Sequence, residues 1–298
     1  MSLADDNQLS FAAFHEAQQI DHPLSFGVFD EDQRNTGVSP KLGLLWQATP
    51  QVQGFANLSR SFEAPIMAEF NNAFDANSGS ISQALVLDEK TATTVEVGSR
   101  GSVSPALNWE VALYHSRVHD ELLTVEVNLP GSQFATANAD PTRHSGIELG
   151  LGGDWLLSQQ SDAAIFWHST HTWGRFRFDN DATFGSNALP GIPSHFGQFE
   201  IGYRHGSGWQ IGPTLNYASR YYVDFANSFR ADSYLLIGVK AGYQSADQRL
   251  SLFVEGRNLE DDAFVANTST RADAAGADVA VFNPGQQRAV FVSLTLNL

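Results

Sequence analysis

Apolar and polar residues alternate along almost every long segment of this chain, and that period constrains its fold more than any other feature. In TVEVGSR (94–100) Val95 and Val97 share one face, with Glu96 and Arg100 on the other. NWEVALYHS sets Trp109, Val111 and Leu113 against Glu110, and SGIELGL sets Ile147, Leu149 and Leu151 against Glu148. QFEIGYRH opposes Phe199, Ile201 and Tyr203 to Glu200 and Arg204. YLLIGVKAGY opposes Leu235, Ile237, Val239 and Ala241 to Lys240, and LSLFVEGR opposes Leu250, Leu252 and Val254 to Glu255 and Arg257. Successive side chains of a strand point to opposite faces, so each segment predicts a strand with one apolar and one partly charged face.

The connections carry a second pattern. Tight links at 48–51, 100–106, 157–162, 205–209 and 245–248 alternate with long ones near 17–36, 62–90, 128–142, 179–193, 223–232 and 263–284. An antiparallel meander with tight turns on one rim and elaborate loops on the other has this rhythm. The segments predict roughly 12 strands of about 10 or more residues, the length that crosses a bilayer at a tilt. The final strand then ends on the tight-turn rim, as in bacterial outer-membrane barrels. Trp155, Trp173, Trp209, Tyr221 and Tyr222 lie near strand ends, where interfacial girdles form.

Alternation alone does not say whether the apolar face looks into a protein core or out to lipid. A soluble sandwich or propeller is the plain alternative. Strands longer than the usual ~5–6 residues favour the membrane, and so does the shortage of lysine. Only Lys41, Lys90 and Lys240 are present among 17 basic residues, whereas soluble sheets commonly protect their surfaces with lysine.

The 42% hydrophobic content indicates a folded chain. A formal charge of -16 argues against a nucleic-acid partner, which needs a basic surface. The absence of cysteine excludes disulfides and thiolate metal sites. No segment has the length and apolarity of a transmembrane helix. The opening MSLADDNQLSF lacks the basic start and apolar run of a signal peptide, so a membrane role requires a leader beyond this sequence.

Four motifs then carry a resemblance. VSPKLGLLWQATPQVQGFANLSRSFEAPIMAEF (38–70) contains Ser59, Phe62 and Pro65 in a Ser-x-x-Phe-x-x-Pro spacing after a strand pair. LPGIPSH (189–195) forms a Leu-Pro-Gly-x-Pro turn, and VEGRNLEDDAFVAN holds Asn-Leu-x-Asp-x-x-Phe, with Phe264 where Tyr is usual. FNPGQQRAVFVSLTLNL supplies Pro-Gly-x-x-Arg ahead of the closing strand. In this order the motifs resemble the barrel of TonB-dependent outer-membrane receptors. The closing strand suits that role: Val290, Val292, Leu294, Leu296 and Leu298 share one face, and Ser293, Thr295 and Asn297 the other. The family usually ends in Phe or Trp where this chain has Leu298.

The resemblance implies an all-β fold, an antiparallel transmembrane β-barrel of about 12 strands. Residues 1–298 would form a single β-barrel region, the C-terminal half of a 22-stranded barrel, without plug domain or signal peptide. It implies uptake of a bulky, scarce nutrient such as a ferric siderophore or similar chelate. The implied partners are outer-membrane lipid, a plug domain, the TonB complex and the small-molecule or metal-chelate ligand, at the bacterial outer membrane. The alternative is a self-contained outer-membrane barrel of about 12 strands: a passive channel, an autotransporter-like barrel or a barrel enzyme.

Glu96, Arg100, Glu110, Glu148, Glu200, Arg204, Lys240, Glu255 and Arg257 are the lumen-facing candidates, with both charge signs on one wall suited to cross-strand pairing. No catalytic residues, resident metal or cofactor are expected. His168 and His171 fall on opposite faces of a strand and do not chelate one ion together, while His115 and His119 share a face two pleats apart. The acidic runs at 30–33, 179–181 and 260–262 read mainly as solvated loop tips, with divalent-cation collection the alternative. Asn258 and Asp261 are expected to serve backbone geometry. No phosphate-binding loop, dinucleotide fingerprint or zinc-protease helix occurs.

Overall fold

The computed structural model describes residues 8–20, 33–66, 69, 74–75, 80–81, 87–127, 133–278 and 281–297. Twelve strands join in one antiparallel sheet. They are β1 (Gln8–Ile20), β2 (Gln33–Thr49), β3 (Val52–Glu63), β4 (Lys90–Ser104), β5 (Leu107–His119) and β6 (Thr142–Ser158), then β7 (Ala163–Phe178), β8 (His195–Arg204), β9 (Trp209–Ala218), β10 (Tyr234–Gln244), β11 (Leu250–Arg257) and β12 (Ala289–Leu296). Each strand pairs with its neighbour along the chain, so the sheet is an unbroken meander. Tight links at 50–51, 105–106, 159–162, 205–208 and 245–249 lie on one rim, and the long connections on the other. This is the expected rhythm. The chain's end falls on the tight rim, where Asn297 donates its backbone N–H to Arg249 O (2.9 Å) and its side-chain amide to Gln248 O (3.0 Å).

The register resolves the two faces. Leu252 pairs with Leu294 and Val254 with Val292, while Lys240 pairs with Glu255 on the opposite face. Among the described residues nothing covers the apolar face of the closing strand. Val290, Val292, Leu294 and Leu296 are 66%, 67%, 60% and 62% exposed. A sandwich or propeller would bury those residues against a second sheet, so the soluble alternative does not describe this molecule.

Core packing has moved into the long connections. Tyr221, Val223, Ala231, Ala274 and Val281 form one buried cluster, and Phe178, Leu189 and Phe225 another, both at the loop-bearing rim. This corrects one expectation. Tyr221 is only 6% exposed and belongs to the loop core, so it forms no part of a girdle, while Tyr222 beside it is half-buried, with the Arg230 guanidinium 4.1 Å from its ring centre. Trp155 and Trp209 do sit on the apolar face beside tight links, Trp155 stacked on Trp167 and Trp209 tilted against Tyr243 with ring centres 4.7 Å apart, and Trp46 joins them in exposure and position.

The strands β1 and β12 end the order of the sheet, each with one neighbour. Among the described residues they do not pair with each other, so the sheet has two edges.

Candidate functional site

The charged candidates occupy one face of the sheet, because the register keeps their parity from strand to strand. Arg100 on β4 is the direct partner of Glu110 on β5, which opposes Gly150 on β6. Glu148 opposes Ala112 and Thr172. Glu200 opposes His168 on one side and Thr214 on the other, and Arg204 opposes Ala164 and Gln210. Glu96 opposes Asn57 and Tyr114.

Within that face the side chains form local groups. Lys240 Nζ donates to Glu200 Oε2 at 2.7 Å, reaching across β9. Arg257 Nη2 donates to Glu255 Oε2 at 2.7 Å, and its guanidinium lies 4.7 Å from the Phe291 ring centre. Together these line a hollow of about 490 Å³ with His168, Gln198, Asn216, Asn258, Phe264 and Gln286. Arg204 pairs with Asp154 at 3.0 Å. Asp154 escapes a reading of the sequence because GGDW interrupts the alternation with glycines. A second, wider hollow of about 700 Å³ holds Gln53, Arg100, Glu110 and Thr170. There Arg100 Nε donates to Gln53 Oε1 at 2.8 Å, so the arginine is held by an amide, not by its register partner Glu110. Among the described residues Glu96, Glu110 and Glu148 make no ion pair within 4 Å.

The histidines divide as their spacing requires. His168 stands on the charged face beside Glu200, and His171 on the apolar face. There His171 Nε2 lies 3.2 Å from His195 Nδ1, a contact between strands that linear spacing could not reveal. Among the described residues no group of three or more His, Asp or Glu side chains converges as a metal site.

The acidic run at 179–181 is a loop device. Asp179 Oδ2 accepts from Arg117 at 2.7 Å, and its other oxygen accepts from Arg143. Asp181 Oδ1 accepts from the N–H groups of Thr183 and Phe184, both at 2.7 Å. At 260–262, Asp261 Oδ1 accepts from Arg288 N at 2.7 Å. Asn258 donates to Asp262 O (2.9 Å) and Gln286 O (3.1 Å) and accepts from Asp262 N (3.0 Å). Asn258 and Asp261 also adopt positive φ, 49° and 60°, a conformation that Asn and Asp tolerate better than most side chains. The segment of Asn258 and the segment of Gly285 therefore join, and Phe264 covers Gly285 so closely that a Cβ there would lie 2.1 Å from the ring.

Asp224 is a buried carboxylate that ties loop segments together and that the sequence conceals. It is fully buried and accepts hydrogen bonds from Ser228 N (3.0 Å), Ser228 Oγ (2.7 Å), Phe229 N (3.2 Å) and Ala274 N (3.1 Å). Burial alone would raise its pKa, but the donors of Ser228, Ala274 and Phe229 outweigh that and hold the carboxyl below its ordinary value. YYVDFANSF carries no spacing that distinguishes such a hub from a solvated loop aspartate.

A meander of long strands, apolar on one face, charged on the other, with tight turns on one rim and packed loops on the other, is an outer-membrane β-barrel wall. The chain belongs to the TonB dependent receptor-like β-barrel family, whose model matches residues 12–259, and its place is the bacterial outer membrane. It is similar to the metal-pseudopaline receptor CntO of Pseudomonas aeruginosa, 26% identical over 285 residues, which covers 92% of this chain and 36% of that protein. The chain thus spans about a third of the curated relative's length. Among solved structures, the copper transporter OprC superposes with a TM-score of 0.75 at 17% identity over 98% of this chain and 46% of that one. The ferric-catecholate import receptor Fiu of E. coli K12 superposes with a TM-score of 0.66 at 18% identity over 98% and 42%. These superpositions establish the shared fold.

Proposed function

We propose that residues 1–298 form a single region of barrel wall, the C-terminal half of a 22-stranded TonB-dependent receptor that imports a metal chelate. The carrying observation is the family match over residues 12–259, and the kinship with a metal-pseudopaline receptor supports a chelate over other bulky nutrients. In this reading the apolar face meets lipid. Glu96, Arg100, Glu110, Glu148, Glu200, Arg204, Lys240, Glu255 and Arg257 face the hydrated interior, where ion pairs such as Lys240–Glu200, which reaches across an intervening strand, hold the wall and the charged face meets a plug domain. The packed loops capture the ligand. The chain makes and breaks no covalent bond, and the energy for transport comes from the TonB complex.

The test is uptake of radiolabelled nickel, zinc, cobalt and iron, each supplied as a chelate, by cells with and without the gene and with and without TonB. Saturable uptake of at least one chelate that disappears in both deletions is expected. Uptake that survives loss of TonB would point to a passive channel instead.

A further inference from the structure

We propose that the apolar side of β5, β6 and β7, at its loop-bearing end, carries a binding site for the phosphate of an outer-leaflet glycolipid, formed by Arg117, Arg143, Arg175 and Arg177. The proposal rests on the reading that this side of the sheet meets lipid. Arg143 is the direct register partner of Arg117 on one side and of Arg177 on the other, so three guanidinium groups stand in one row across adjacent strands. Arg175, opposite Ser145, is one step nearer the apolar band on the same face. Like charges placed directly opposite destabilise a sheet. A row of arginines therefore requires counter-charge.

The chain supplies only part of it. Asp179, 8% exposed, is shared by Arg117 and Arg143, and among the described residues Arg175 and Arg177 have no ion pair. A surplus of positive charge remains on this patch of a protein whose net charge is -16. The guanidinium fork matches phosphate oxygens bidentately, so a phosphate dianion is the chemistry that completes the row.

Position selects the source of that phosphate. Along the same face, below the arginines, lie Leu113, Ile147 and Trp173, all exposed. Arg143 is twelve residues from Trp155 along β6, which at ~3.3 Å per residue and ~40° tilt is about 30 Å of height, against an apolar band of ~25 Å. The arginines thus stand at headgroup level, above a mainly apolar surface for acyl chains that is broken by His115, Ser145 and His171. A lipid satisfies both, whereas a free anion satisfies only the upper part.

The experiment is native mass spectrometry of the membrane-reconstituted protein, with the whole polypeptide that carries this wall, titrated with a phosphorylated outer-leaflet glycolipid and with the same lipid dephosphorylated. Retention of the phosphorylated form at least tenfold above the dephosphorylated form is expected. The double substitution Arg175→Gln/Arg177→Gln, which leaves both Asp179 bridges in place, should abolish that preference, and Arg249→Gln on the opposite rim should not. Equal retention of the two lipids by the wild-type protein overturns the proposal without recourse to any variant. So does inorganic phosphate displacing the lipid at equimolar concentration, which would mark a free-anion site. A spin label at Leu113 that is inaccessible to lipid-soluble quencher would locate the failure in the outward-facing reading itself. Preserved chelate uptake with lost lipid preference would leave the transport reading standing apart from this one.

Discussion

Asp224 organises the loops through a carboxylate that accepts from four donor groups of three residues on two connections. Asp224→Ala leaves buried donors unsatisfied, a loss of about 1–3 kcal/mol per unsatisfied group, and faster hydrogen exchange is expected at 223–229 and 271–276 with little change in the sheet. The pH dependence follows from the depressed native pKa. The contribution is fully present above the unfolded carboxyl value of ~3.9 and is lost as pH falls through the lower native value. Exchange protection of these segments should therefore hold from neutral pH to about pH 4 and collapse only below it. Loss of protection near pH 6 would show that another group governs the loops. Gly285 offers a second test at this scale. Gly285→Ala pushes a methyl into the Phe264 ring, for an expected cost of about 1–3 kcal/mol in denaturant unfolding. In a Phe264→Leu background the penalty should shrink, because the atoms in conflict are those of the ring.

At the scale of the element, β12 shows what a wall strand must satisfy. Its apolar residues continue the stripe of β11, while Phe291 opposes Glu255 and meets Arg257. Val292→Arg is expected to destabilise the bilayer-inserted protein by about 2–4 kcal/mol if it lies near the midplane, whereas Ser293→Arg, one residue on, should cost under half as much. Denaturant titration from lipid vesicles compares them, and equal costs would mean that the two faces do not see different solvents. Alternation makes this strand legible from its residues alone, because period and environment are one signal. The loop hairpins are not legible in that way. Tyr221–Tyr222 and Arg230–Ala231 pair over only two residues each, too short to show a period, so Tyr221 reads as interfacial although the chain folds it inward.

At the scale of the whole molecule, the described residues form a sheet with two edges. A paired backbone is required wherever the wall meets hydrocarbon, and among the described residues β1 and β12 each leave one side without a strand partner. Refolded alone in detergent micelles, this chain is expected to give a broad distribution of associated species in size-exclusion chromatography. A single monodisperse barrel would contradict the open order of the strands and revive the self-contained alternative. The partial coverage of CntO, OprC and Fiu is consistent with the open sheet. The charged groups are likewise a property of the assembled wall: Glu200 and Lys240 are 40 residues apart in sequence and 2.7 Å apart in space.

By itself the sequence determined the strand period, the two faces, the order of tight and long links, and through its motifs the family. Each of these follows from neighbouring residues along the chain, since backbone pleating and turn chemistry act over a few positions. Tertiary structure decided which charges meet, that Arg117, Arg143 and Arg177 stand in one row, that His171 touches His195, and that Asp224 is buried. Those outcomes depend on the register between strands and on how loops fold over one another, and register is set by hydrogen bonding between segments that linear distance does not relate.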